Sequence, residues 1–129
     1  MTIELQMLAW ASVLGLAQIM LAAGAVTRER GTRWNASARD GQAPPPGRLA
    51  GRLLRAQSNF LETFPIFAAA TLAVVFAGKA DTQTAVAVQL YFWARLAYVP
   101  LYAAGVPYVR SLVWLGSLAG IVMLLSALL

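Results

Sequence analysis

Four long apolar segments dominate this chain of 129 residues, at about residues 3–26, 49–76, 84–104 and 108–129. A helix needs about 20 apolar residues to cross the hydrocarbon core of a bilayer. Only 12% of the residues are charged, whereas soluble domains carry about 25%. The sequence therefore predicts one all-α domain, a four-helix bundle that is integral to the membrane and multi-pass. It argues against a disordered chain, a nucleic-acid-binding module and most soluble enzymes.

The first apolar segment has a second interpretation, a signal peptide cleaved at the small residues of 22–25. Signal peptides carry a basic start and an apolar stretch of about 7–15 residues. This segment has no Lys or Arg before it and is longer. We therefore favour a membrane-spanning helix and keep the signal peptide as the alternative.

Basic residues are distributed unevenly among the connections between the segments. The first connection with its flank and the third connection hold seven arginines, whereas the second holds only Lys79 and the N-terminus none. Connections rich in Lys and Arg stay in the cytoplasm, which predicts both termini outside it, in an inner or plasma membrane. The first connection, 27–47, is expected to be an irregular, Arg-rich loop with a stiff extended end at Pro44–Pro46. The seven arginines are Arg28, Arg30, Arg33, Arg39, Arg48, Arg52 and Arg110.

Two absences narrow the chemistry, because the sequence contains no Cys and no His. The chain therefore has no disulfide, no thiolate nucleophile of its own and no imidazole base. Its five carboxylates are scattered, which argues against a metal site. These are Glu4, Glu29, Asp40, Glu62 and Asp81.

A polar stripe follows one face of the second apolar segment. At 100° per residue, all its members fall within roughly 80° of one another. Charged residues inside a bilayer are costly and face a cavity or one another, so the stripe predicts a polar cleft. Two alternatives stay open: snorkelling of Arg48 and Arg52 to lipid phosphates, and a purely structural network of the others. The stripe comprises Arg48, Arg52, Arg55, Asn59 and Glu62.

A second polar stripe follows the third segment, where Tyr91, Tyr98 and Tyr102 fall within about 60° on one side of Arg95. This face offers a fixed cation and three phenol hydroxyls, which a bundle would bring towards the first stripe. Tyr91 and Tyr102 have an alternative interpretation as interfacial belt residues. Trp10, Trp93 and Trp114 are expected to be lipid or packing contacts; they are set apart from both stripes.

Both stripes resemble a known family. The stretch Arg55-Ala-Gln-Ser-Asn59-Phe-Leu-Glu62-Thr-Phe-Pro65 resembles the second-helix signature of the MAPEG family, the membrane-associated proteins in eicosanoid and glutathione metabolism. The stretch Ala94-Arg95-Leu-Ala-Tyr98-x-x-x-Tyr102, followed by Gly105, Pro107 and Arg110, resembles that family's third helix and next turn. The resemblance covers nearly the whole chain. Some members have Tyr where this chain has Thr63.

The resemblance implies a homotrimer whose glutathione sites lie between neighbouring subunits and open to the cytoplasm. Carried over by motif, Arg55, Asn59 and Glu62 would bind glutathione, as would Tyr98 and Tyr102. Arg110 would be the catalytic residue that activates the thiol. We add Arg52 and Arg95 as candidate glutathione ligands, because they share the stripes. The family's loop arginine matches Arg28, Arg30 or Arg33.

The residue chemistry agrees with a thiol co-substrate and no metal. Arginine pairs suit carboxylates, Glu62 suits an ammonium, and a cation next to a thiol favours the thiolate. The sequence therefore predicts a glutathione transferase, a lipid hydroperoxide peroxidase, or both, with membrane lipids and a hydrophobic small-molecule substrate as partners and no nucleic acid. Two alternatives stay open: a non-catalytic lipid-binding or scaffold member of this fold, and a small multidrug exporter.

Overall fold

A computed structural model describes residues 1–41 and 45–129. The prediction of an all-helical protein is confirmed over these residues, which form five helices and no strand. Three of the helices, α1, α3 and α5, are long and apolar enough to cross a membrane. The helices are α1 (Ile3–Arg30), α2 (Thr32–Ala36), α3 (Arg48–Phe76), α4 (Thr82–Ala103) and α5 (Tyr108–Leu128).

Helix α4 differs from the other long helices. It has 22 residues, enough for about 33 Å at 1.5 Å per residue. It is nevertheless not among the helices that are apolar enough to cross a membrane by composition. Its sequence includes Gln83, Gln89 and Arg95 as well as three tyrosines. Of these side chains, Tyr91, Arg95 and Tyr98 are buried inside the protein, so α4 contributes large polar side chains to the interior.

The first connection is more helical than predicted. Helix α1 continues past residue 26 to Arg30 and ends at Gly31, whose φ is +88°; glycine reaches this conformation without steric cost. The short helix α2 follows, with Arg30 over the ring of Trp34 at 5.0 Å. The helix extends because Thr27–Arg30 lack a breaker, although they are polar. Within the predicted extended run, Pro44 lies outside the described residues.

The four long helices pack pairwise. Helix α4 contacts α1, α3 and α5, and α3 also contacts α1 and α5, whereas no contact joins α1 and α5 within the described ranges. The central contact is the ring of Phe67 stacked on that of Tyr91 at 3.9 Å. Helices α4 and α5 approach closely at Gly120, where a Cβ atom would lie 2.7 Å from the Ala87 carbonyl oxygen. The interior is therefore centred on α3 and α4.

The two ends of this helix assembly are built differently. At the capped end, where α1 and α4 begin, Asp81 and Thr84 form a capping box, and the Thr84 hydroxyl donates to the buried Glu4 carboxylate at 2.8 Å. The opposite end, where α3 and α5 begin, carries Arg48, Arg52 and Arg110 and is called the arginine-rich end. There α4 closes in a Schellman turn, in which Val106 N–H donates to the Leu101 carbonyl and Gly105 has φ +76°. This tight turn places the start of α5 beside the end of α4.

Candidate functional site

A cleft of about 280 Å³ opens at the arginine-rich end, among α3, α4 and α5. Each helix contributes two residues spaced by four positions, the spacing that places side chains on one helical face. A serine next to one of them completes the lining. The lining residues are Arg55 and Asn59 from α3, Tyr98 and Tyr102 from α4, and Arg110, Ser111 and Trp114 from α5.

Tyr102 lies between the two arginines of the cleft. The Arg55 Nε atom donates to the Tyr102 hydroxyl at 3.2 Å, and the Arg110 guanidinium carbon lies 4.6 Å from the centre of the Tyr102 ring. The Tyr98 ring meets the Tyr102 ring edge-on, with centroids 5.5 Å apart. Cation–π contact with the ring attracts a guanidinium, so Tyr102 holds both cations at the cleft wall.

Arg95 lies beneath the cleft and does not line it. Its side chain is 1% exposed, and its Nη1 atom donates to Asn59 Oδ1 at 2.8 Å. The guanidinium carbon lies 4.4 Å from the Tyr98 ring centre and 5.5 Å from that of Phe60. The Arg95 Nε and Nη2 atoms have no hydrogen-bond partner among the described residues. The sequence grouped Arg95 with the candidate glutathione ligands; in the structure its side chain is buried and lies outside the cleft lining.

Four further residues of the two stripes lie outside the cleft lining, namely Arg48, Arg52, Glu62 and Tyr91. Arg52 donates from Nη1 to the Ala103 carbonyl at 3.2 Å. Tyr91 is fully buried and shares a hydrogen bond of 3.0 Å with Thr63. Glu62 is exposed on α3. Helical spacing therefore grouped residues that line the cleft with residues that do not, because it does not tell how far along each helix the cleft extends.

The sequence analysis missed two lining residues, Ser111 and Trp114. Trp114 was expected to be a lipid or packing contact, yet it lies on the cleft, and its indole Nε1 is buried without a partner in the part of the chain that the structure describes. Its position four residues after Arg110 was the available signal, because that spacing places both side chains on one face of α5.

The cleft is lined by cations and hydrogen-bond donors. Among the described residues that line it, two are arginines, none is a carboxylate, and the others offer hydroxyl, amide or indole N–H groups. Guanidinium groups bind carboxylates through charge-assisted hydrogen bonds. The apolar helices and this cleft together define a helical membrane protein with a cationic cleft among three of its helices.

Comparison with known proteins names the family. The model of the MAPEG family matches residues 7–129, nearly the whole chain, and the protein belongs to this family. No curated protein matches the chain. Membership confirms the family resemblance of the two stripes and, with the three apolar helices, a location in a membrane.

Proposed function

We propose that this protein is a glutathione-dependent membrane enzyme that conjugates glutathione to hydrophobic electrophiles, reduces lipid hydroperoxides, or both. The observation that carries the proposal is the cleft with Arg55 and Arg110 on either side of Tyr102. Glutathione has two carboxylates, one ammonium and one thiol. The cleft supplies fixed cations and hydrogen-bond donors for its anionic groups.

The proposed reaction uses the thiol of glutathione as the nucleophile, since the chain has no Cys and no His. Arg110 follows the Gly105 turn at the start of α5, where the positive end of the helix dipole also favours an anion. A thiolate held there attacks the electrophilic carbon, forms a carbon–sulfur bond and displaces the leaving group. With a hydroperoxide, two glutathione molecules become the disulfide while the peroxide becomes an alcohol and water.

The exposed apolar surface supports a substrate that arrives from the bilayer. Large side chains such as Leu112 and Leu115 on α5 are exposed, close in sequence to Arg110 and Trp114. A lipid-soluble electrophile could reach the thiol along this face without crossing the aqueous phase. We therefore propose that the electrophile is a hydrophobic small molecule.

The proposal includes a homotrimeric four-helix bundle with the glutathione site between subunits. Glu62 supports a shared site, because it is exposed one turn from Asn59 and makes no hydrogen bond or ion pair within the described residues. There it would accept the glutathione ammonium. Native mass spectrometry in detergent is expected to show three chains, and a monomer that binds glutathione would contradict the shared site.

The proposed orientation places the cleft towards the cytoplasm. Seven arginines lie at or near the arginine-rich end, whereas Lys79 lies at the other, and the basic bias predicts the cytoplasmic side. A reporter fused after Leu129 is therefore expected to be active only outside the cytoplasm. Activity inside the cytoplasm would reverse the orientation.

Thermal stability in detergent with and without glutathione tests the proposal directly. A ligand that binds only the folded protein raises the melting temperature as its concentration rises. We expect stabilisation by glutathione, and turnover with an aromatic electrophile. Binding without turnover of electrophiles or hydroperoxides would favour the non-catalytic member of the fold, and no binding of glutathione would refute the proposal.

A further inference from the structure

The orientation of the Asn59 amide is set from inside the protein. Arg95 Nη1 donates to Asn59 Oδ1 at 2.8 Å. A guanidinium has only donors, whereas an amide has one acceptor oxygen and one donor nitrogen. The oxygen of Asn59 must therefore face Arg95, whichever way an isolated amide would turn.

The other end of the same amide faces the cleft. Asn59 lines the cleft, and its Nδ2 atom makes no hydrogen bond within the described residues and is not among the buried unpartnered atoms. The amide therefore turns its nitrogen, with two N–H donors, towards a ligand and its oxygen towards Arg95. A ligand atom bound to Asn59 Nδ2 must be an acceptor, such as a carbonyl or carboxylate oxygen.

Arg95 cannot easily release this amide. Its side chain is 1% exposed and lies against the Tyr98 and Phe60 rings, at 4.4 Å and 5.5 Å. Two of its three nitrogens have no hydrogen-bond partner among the described residues, and losing the Asn59 oxygen would leave the buried cation with no acceptor there. Such a loss is costly, which favours retention of the hydrogen bond between Arg95 and Asn59.

We propose that Arg95 is a positioning residue that holds the Asn59 amide with its N–H groups towards the cleft, so that this position selects a carboxylate or carbonyl oxygen of the ligand. The inference rests on the proposed function for the identity of the ligand. It assigns Arg95 an indirect part in recognition, through Asn59, with no ligand contact of its own.

The substitution Asn59→Asp tests this assignment, because it has opposite effects on folding and on binding. Towards Arg95, a carboxylate is a better acceptor than an amide, so the melting temperature should rise. Towards the cleft, the N–H donors disappear and a negative charge takes their place. Glutathione affinity should then fall at least about tenfold, which corresponds to about 1.4 kcal/mol.

Asn35→Asp is the matched control. Asn35 also accepts a hydrogen bond from an arginine, Arg39 Nη2 at 2.7 Å, but this bond is exposed and lies outside the cleft lining. Its Nδ2 atom donates to Thr27 Oγ1 at 2.9 Å, and the threonine hydroxyl can donate to a carboxylate at this position instead. Its substitution should leave both melting temperature and glutathione affinity close to wild type. If only Asn59→Asp changes the affinity, the effect comes from the position of the substitution and not from the replacement of an amide by a carboxylate as such.

The substitution Arg95→Gln tests whether the effect of Asn59→Asp on stability depends on Arg95. In that background Asn59→Asp should lose its stabilising effect, because the buried cation is gone. If the Arg95→Gln protein does not fold, the single substitution Asn59→Asp still decides the proposal.

The possible results separate this inference from the proposed function. If wild type does not bind glutathione, the proposed function fails, while the rise in melting temperature still tests the Arg95–Asn59 pair. A lower melting temperature in Asn59→Asp would overturn the pairing. Unchanged or tighter glutathione binding in Asn59→Asp would overturn the donor role towards the ligand.

Discussion

The two ends of the helix assembly use polar residues in opposite ways. At the capped end, Thr84 donates to Glu4 and completes the Asp81 capping box, so the polar groups there bond to one another. At the arginine-rich end, Arg55 and Arg110 contact the faces and hydroxyl of tyrosines, with no carboxylate among the described lining residues. The first arrangement stabilises helix ends, whereas the second leaves cationic binding capacity open to a ligand.

The largest effect should come from Arg110→Ala, which removes the cation proposed to stabilise the thiolate. Loss of one preorganised group that stabilises developing charge typically costs about a hundredfold or more in turnover. We expect this loss with an aromatic electrophile, together with loss of the thiolate absorbance in a near-ultraviolet difference spectrum. Glutathione affinity should change little, because a group that acts mainly in the transition state affects rate more than binding.

Lys79→Ala is the control for Arg110→Ala. It also removes one positive charge, but at the capped end, where Lys79 donates to the Leu128 carbonyl at 3.4 Å and is exposed. Turnover should remain near wild type. Equal losses in both variants would mean that net charge, and not the position of Arg110, governs the rate.

The second effect is on stability, and it concerns Thr84→Val. Valine has the shape of threonine without the hydroxyl, so it leaves the buried Glu4 carboxylate without the donor seen at 2.8 Å. An unpartnered buried acceptor costs about 1–3 kcal/mol of folding free energy. The melting temperature in detergent should fall, while the folded fraction binds glutathione with unchanged affinity.

Thr71→Val provides the comparison for Thr84→Val. Thr71 is equally buried, but its hydroxyl donates only to the Phe67 carbonyl of its own helix, so its loss leaves no side chain without a partner. The melting temperature should fall less than in Thr84→Val. A drop in glutathione affinity in Thr84→Val would show that the two ends are not independent.

The smallest effect should come from Glu62→Gln, which keeps the shape of the side chain and removes its charge. If Glu62 accepts the ammonium of glutathione, affinity should weaken about tenfold, within the range for a hydrogen bond to a charged group. Titration of glutathione into the purified protein in detergent measures this affinity. Yield and the content of the proposed trimer should remain near wild type, because Glu62 is exposed and makes no hydrogen bond or ion pair within the described residues.

Asp81→Asn is the control for Glu62→Gln, because it also removes one negative charge but at a different place in the protein. Asparagine caps a helix about as well as aspartate, so this variant removes a negative charge at the capped end at little cost in stability. Its glutathione affinity should match wild type. Glu62→Gln with unchanged affinity and a collapsed yield would instead identify Glu62 as a structural residue.

Part of the cleft could be predicted from spacing alone. Arg55 and Asn59 share one face of α3, and Tyr98 and Tyr102 one face of α4, because helical geometry places residues four apart on the same side. The same rule grouped Arg52 and Tyr91 with them, yet Arg52 holds the Ala103 carbonyl and Tyr91 bonds to Thr63. Helical periodicity predicts which way a side chain points. Where along the helices the cleft opens depends on how the helices pack.

The sequence by itself determined an all-helical membrane protein, the arginine-rich end and the family, since these follow from local composition and short motifs. Only the tertiary structure decided that α5 supplies Trp114 to the cleft, that Arg95 is buried beneath it, and that Arg95 turns the amide of Asn59. The physical reason is that a hydrogen bond between residues 36 positions apart depends on how α3 and α4 pack. No local pattern records that packing, because helix periodicity is the same whichever partner a face meets.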